Sequence, residues 1–308
     1  MRRAATRHLL RLSDGAELAY WSAGEEPARD RTMLLLHGAA SNHTRWSELV
    51  ERTSLTSSWR LLCPDLRGNG ESTLRTGQGI EVWCRDLVEL LDAERVPRAV
   101  VVGHSLGAQV AASLAVRAPQ RVAGAVLIDP IVRRALRGKQ GLWARFPGAL
   151  RAAAALIAGL NRLGLRRRRI PGRDLRVLDE ETRRAMAGGE ALRVIAERYS
   201  AIGPILRHMP TTSYLRQMAA MAAELPPLEA IACPVLVLVS GGITFADGAV
   251  ARRELDRLRD AEIVTLEANH WPLTEAPEQT RREIERWVER RFGARTEAAA
   301  GRTRSADG

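Results

Sequence analysis

The 308-residue chain is 45% hydrophobic, enough to bury a full core, and its length suits one large domain or one domain carrying an insertion. Its formal charge of +11 is almost wholly arginine, because Lys139 is the only lysine. Only Arg166-Arg167-Arg168-Arg169 forms a dense basic run and no aromatic residues interleave it, so the charge does not read as a nucleic-acid surface.

In chain order, His8–Leu12 and Glu17–Ser22 alternate polar and apolar residues around Ser13-Asp14-Gly15, the pattern of a hairpin. A polar loop, 25–31, precedes Thr32–Leu36, a short buried strand that runs into His37-Gly38-Ala39-Ala40-Ser41-Asn42. Trp46–Thr56 reads as a helix and Trp59–Cys63 as a second buried strand, ending in Pro64-Asp65-Leu66-Arg67-Gly68-Asn69-Gly70-Glu71-Ser72. Ile80–Glu94 is amphipathic at helical spacing, with Val82, Leu87, Leu90 and Leu91 on one side. A β-branched run, Val100-Val101-Val102, enters Gly103-His104-Ser105-Leu106-Gly107 and an alanine-rich helix follows to about Ala118. Val122–Ile128 is a further buried strand, closed by Asp129-Pro130. Strands alternating with helices at this spacing predict a mostly parallel sheet of about eight strands, covered by helices on both faces.

The alternation stops at Ile131. To Glu229 the pattern is helical, rich in arginine and alanine, and broken by Pro147, Pro171, Pro204, Pro210 and Pro226-Pro227. Strand rhythm resumes at Val235–Val239, then a helix over Ala249–Arg259, a strand at Glu262–Leu266 and a helix over Pro277–Phe292. The division expected is therefore a core from 1–130 and 230–292, a helical cap inserted at 131–229, and a small, polar, disordered tail at 293–308. Within the cap, the stretch from Phe146 to Leu165 is apolar over more than half a helical circumference. It is expected to pack on the other cap helices and roof the site, with Leu156 on the buried side. The competing expectation is a weak membrane-surface contact, with Arg166–Arg169 meeting anionic head groups.

Gly-x-Ser-x-Gly between a buried strand and a helix is a nucleophile elbow. A Cβ at Gly103 or Gly107 would collide with the neighbouring strand or helix, and the bend lifts the Ser105 hydroxyl above the carboxyl edge of the sheet, before the first helical N–H groups. A serine needs a base to take its proton. Of the six histidines, His270 follows the last strand on a loop at that same edge and comes after the serine, which suits the order Ser…acid…His. His104 supports the turn, pointing to the opposite side of the strand end, and His37 serves loop architecture. After Thr32–Leu36, Gly38 lets the chain turn so that the Ala39 N–H meets the Leu106 N–H in an oxyanion hole.

Together these motifs, with Asp65–Ser72 and Asn269-His270, make the chain resemble the α/β-hydrolase superfamily, in its capped, esterase-like branch, over about Leu9–Phe292. The resemblance implies serine-type hydrolysis without metal or cofactor. Ser105 stands where dehalogenases and epoxide hydrolases of the superfamily carry aspartate. The acid of the triad departs from the family's usual place, a turn after the penultimate strand: here Val239-Ser240-Gly241-Gly242-Ile243-Thr244-Phe245-Ala246 has no carboxylate before Asp247. Two acids remain open, Asp129 at the end of the strand after the elbow, and Asp247, which arrives late and suits a helix cap; a site with no side-chain acid is the third alternative.

The function expected is cleavage of a small-molecule carboxylic ester or thioester through an acyl-enzyme. A C–C bond hydrolase or acyltransferase with the same triad, or a ligand-binding protein on a hydrolase fold, are the alternatives. Cys63, Cys84 and Cys233 are far apart and lack zinc-ligand spacing. With no apolar span near about 20 residues and no signal-peptide core, a cytoplasmic setting is expected.

Overall fold

Eight strands assemble into one sheet in the computed structural model, which describes residues 5–24, 31–73, 77–165, 167, 169–189, 199, 201–242 and 246–293. They are β1 (Thr6–Arg11), β2 (Glu17–Ala23), β3 (Thr32–Leu36), β4 (Arg60–Pro64), β5 (Ala99–His104), β6 (Val122–Ile128), β7 (Val235–Ser240) and β8 (Ala261–Leu266). Their spatial order is β1-β2-β4-β3-β5-β6-β7-β8. β1 and β2 form the expected hairpin, β2 pairs antiparallel with β4, and every later pairing is parallel.

The alternation of side chains along each strand feeds two cores. Leu34, Leu36 and Val101 face a layer built on α2 (Ile80–Ala93) and α3 (Leu106–Arg117), through Trp83, Leu87, Leu90 and Val110. Met33, Leu35, Val100 and Val102 face the other layer, where Trp46, Leu49, Ile284 and Trp287 pack from α1 (Ser47–Arg52) and its flank and from α11 (Pro277–Phe292). A strand covered on both faces has no solvent side, so β3 and β5 read as unbroken apolar runs. Where a continuous helix over Trp46–Thr56 is expected, Thr53 takes an extended backbone (φ −70°, ψ 140°) and caps the Leu55 N–H, so α1 stops at Arg52 and a separate turn follows.

Between β6 and β7 lie α4 (Gly138–Trp143), α5 (Pro147–Arg162), α6 (Leu175–Ala187), α7 (Ile202–His208) and α8 (Thr211–Met221). Pro147 opens α5 and Pro210 precedes α8, but Pro204 sits in the first turn of α7, where its missing N–H breaks no helical bond. This block is tied to the loop after β3: Asn42 donates to the Arg173 carbonyl (2.7 Å), the Leu175 N–H to Thr44 Oγ1 (3.0 Å), and the Ala40 N–H to Gln217 Oε1 on α8 (2.8 Å). Leu156 corrects the expectation of a buried roof. α5 turns Leu150 and Ala154 inward and packs on α8, while Leu156 is 68% exposed, because the helix carries a second apolar stripe on its outer side. Arg166 and Arg168 of the basic run, 294–308 of the tail and 243–245 of the turn after β7 lie outside the described residues. Two short helices complete the chain, α9 (Gly248–Leu255) before β8 and α10 (Pro272–Glu275) before α11. Among the described residues, no helix is long and apolar enough to cross a membrane.

Candidate active site

The chain runs from β3 outward to β4, then returns to place β5 on the opposite side of β3. At such a reversal the loops leaving the two strands diverge and open a crevice at the carboxyl edge. The loop after β3 carries His37-Gly38-Ala39, and the turn after β5 carries Ser105. Both meet there: a Cβ built on Gly38 would lie 3.4 Å from Ser105 Cβ.

Ser105 is held at φ 54°, ψ −115°, a conformation that L-residues rarely adopt. The bend persists because its surroundings leave no alternative. A Cβ on Gly103 would come within 2.2 Å of the Gly107 carbonyl oxygen, and one on Gly107 within 2.2 Å of the Leu36 carbonyl oxygen. Glycine at both positions lets strand, turn and helix close up.

His270 Nε2 lies 3.1 Å from Ser105 Oγ. On the other side of the ring, Nδ1 lies 3.4 Å from Asp129 Oδ2. Asp129 is itself oriented by the end of β7, where the Ser240 N–H donates to Oδ1 (2.7 Å) and the Ser240 hydroxyl to Oδ2 (2.5 Å). Ser105, His270 and Asp129 are therefore brought together, all three largely buried. Asp247 is not brought to them. It caps the N-terminus of α9 through the Val250 N–H (3.1 Å) and pairs with Arg137 (2.8 Å). The turn after β7 has no room for a carboxylate at Gly242, where a Cβ would lie 2.5 Å from Asn269 Oδ1.

The Ala39 and Leu106 N–H groups meet no acceptor among the described residues; Leu106 follows Ser105 directly, and Ala39 follows Gly38, which lies against Ser105. His37 fixes the first of them. Its Nε2 accepts from the Leu66 N–H (3.0 Å), so Nδ1 carries the proton and donates to the Gly38 carbonyl (2.8 Å). Burial pushes this imidazole below its ordinary pKa and keeps it neutral.

Three positioning contacts escape the sequence. His104 does not turn away from the site: its Nε2–H donates to the His270 carbonyl (2.9 Å), and the two rings lie 5.4 Å apart. Burial first, and then the nearby His270, push His104 down to about 3. Glu275 on α10 accepts from the Asn269 N–H and side chain (both 2.7 Å) and from the Trp271 N–H (3.3 Å), clamping the loop on either side of His270. Tyr199 stacks on Trp271 at 4.8 Å and donates to Asp179, which pairs with the buried Arg45. Glu275 at the end of a one-turn helix and Ser240 at a strand end look like ordinary polar residues in the sequence; only their neighbours give them a role.

A cavity of about 170 Å³ adjoins this edge, lined by Ala40, Asn42, Asn69, Ile170, Arg173 and Met209 among others. Among the described residues no group of three or more His, Cys, Asp or Glu is placed to hold a metal ion, and Cys63, Cys84 and Cys233 are buried free thiols.

A serine elbow at the reversal of a mostly parallel eight-stranded sheet, with a histidine and an acid in reach, is the arrangement of an α/β hydrolase. Residues 33–283 match the alpha/beta hydrolase family, and the chain belongs to it. It is similar to lipase LipV of Mycobacterium tuberculosis, 34% identical over 106 residues that make up 34% of this chain and 40% of the lipase. The matched stretches span between 30% and 40% of the curated relatives' own length. Among solved structures, a hydrolase from Pseudomonas aeruginosa is 25% identical with a TM-score of 0.66, over 94% of this chain and 99% of that one. A thermophilic esterase from Thermogutta terrifontis shares the fold at a TM-score of 0.66 and 23% identity, over 93% of this chain and 99% of that one.

Proposed function

We propose that the chain is a serine hydrolase that cleaves a carboxylic ester or thioester through an acyl-enzyme. The observation that carries this reading is the 3.1 Å pairing of Ser105 Oγ with His270 Nε2, on a ring whose far nitrogen faces a carboxylate. Ser105 attacks the acyl carbon while His270 takes the hydroxyl proton. The carbonyl oxygen gains the negative charge, and the Ala39 and Leu106 N–H groups hold it; such a donor contributes about 10²–10³ in rate. Collapse of the tetrahedral intermediate expels the alcohol or thiol, which leaves with the proton from His270. Water then attacks the acyl-serine by the same route, returning the carboxylic acid and free Ser105. Asp129 keeps the Nδ1 proton facing it and stabilises the imidazolium.

The block 131–229 acts as a cap, supported by its hydrogen bonds to Ala40 and Asn42 beside the oxyanion loop. The 170 Å³ cavity beside it is lined by Ala40, next to Ala39, and by Arg173 and Met209 of the block, but by neither Ser105 nor His270. A fluorophosphonate probe tests the assignment: it should label the wild-type chain at Ser105 and leave Ser105→Ala unlabelled. Labelling of folded Ser105→Ala, or ester turnover surviving in it, would remove Ser105 as nucleophile.

A further inference from the structure

Among the described residues, the outer side of α5 is left without a partner. Ala149, Ala152, Leu156, Leu160 and Leu163 follow one another at three- and four-residue spacing, on the side opposite the inward Leu150 and Ala154. Leu156, Leu160 and Leu163 are exposed, the last by 79%. Leu142, Trp143 and Phe146 before the helix and Leu165 after it are exposed as well. Among the described residues, seven of the ten large apolar side chains left exposed lie between 142 and 165. Scattered apolar residues need no partner, but a concentration of this kind marks a contact surface.

The segment that carries it has charge of one sign, and of its basic residues Arg133, Arg134 and Arg137 pair with Glu224, Glu254 and Asp247 from elsewhere. From Ile131 to Arg173 the sequence holds twelve basic residues and not one carboxylate. Arg145, Arg151, Arg162 and Arg169 are exposed and make no ion pair among the described residues. On the rest of the surface arginines are commonly matched with acids, as in Arg121–Asp92 and Arg290–Glu262. A second copy of the chain is a poor occupant, because a two-fold contact would set this basic field against itself.

We propose that this face docks on an anionic lipid surface, with the α5 stripe, Trp143 and Phe146 entering the interface and the arginines meeting lipid phosphates. α5 has 16 residues and no helix of the described residues is long and apolar enough to span, so the helix lies in the plane of the membrane. Aromatic side chains suit the level of the head groups, and each arginine near the surface contributes about fivefold to partitioning. The inference does not depend on the hydrolase reading, since it concerns the outer side of the block.

Vesicle co-sedimentation of the full chain tests it. Vesicles containing phosphatidylglycerol should bind at low salt and pure phosphatidylcholine vesicles should not. Binding should weaken sharply at about 1 M salt, where the Debye length falls to about 3 Å. Replacing Arg145, Arg151, Arg162 and Arg169 together by Gln should lower the affinity at least tenfold. The triple variant Leu156→Glu, Leu160→Glu, Leu163→Glu should do the same with an unchanged melting temperature, because these side chains are solvated in the free protein. No sedimentation with phosphatidylglycerol at low salt would overturn the proposal. So would binding that survives the leucine variant, or a dimer in sedimentation velocity that the leucine variant dissociates.

Discussion

Asp129→Asn separates the two candidate acids. In the native chain both Asp129 oxygens accept from Ser240, and Oδ2 also faces His270 Nδ1 at 3.4 Å. An amide keeps one acceptor for the Ser240 N–H and puts an NH₂ donor where Oδ2 stood. The rotatable Ser240 hydroxyl adapts to a donor. His270 must then offer Nδ1 as acceptor, which moves its proton to Nε2 and leaves no base facing Ser105. The expected fall in kcat is about 10³–10⁴, or about 4–5.5 kcal/mol of barrier. Loss of stability should be much smaller, on the order of 1–3 kcal/mol, since the lost contact is a single side-chain hydrogen bond. Asp247→Asn is the control. Asparagine caps a helix about as well as aspartate, and the Arg137 pair it loses is on the surface, so activity should be unchanged. A p-nitrophenyl ester assay with urea unfolding of each variant measures both effects. Asp247→Asn losing more activity than Asp129→Asn, with both folded, would refute the assignment.

Further outcomes follow from the backbone and the buried histidines. Ser105→Gly should be more stable than Ser105→Ala by about 1 kcal/mol in urea unfolding, because glycine accepts φ 54° and alanine does not; equal stabilities would mean that the elbow stores no strain. His104 titrates near 6.5 when unfolded and is pushed down to about 3 when folded, so its contribution is complete above pH 6.5. It is lost as pH falls through that value, at about 1.4 kcal/mol per unit. His104→Gln, which still donates to the His270 carbonyl, should flatten the pH dependence of unfolding between 6.5 and 4.5; an unchanged slope would place the titration elsewhere.

Much of the architecture was legible in the sequence because it rests on local steric rules. Buried parallel strands must be apolar throughout, so β3, β5, β6 and β7 announce themselves, and the Pro277–Phe292 helix opens on a proline, which suits a first turn. The elbow is legible for the same reason: only glycine fits at 103 and 107, and the serine between them has one place to go. His270 follows from its position after the last strand. What the tertiary structure decided depends on which strand ends are neighbours. β6 and β7 lie side by side, so Asp129 reaches His270 and takes its orientation from Ser240, while Gly242 after β7 lies so close to Asn269 that it has no room for a side chain. His104 and Glu275 hold the His270 loop across distances that no periodicity encodes. The outer stripe of α5 makes the same point from the surface. An apolar arc states that a helix face wants cover, but only the packing of α5 on α8 shows which side receives it and which is left to water.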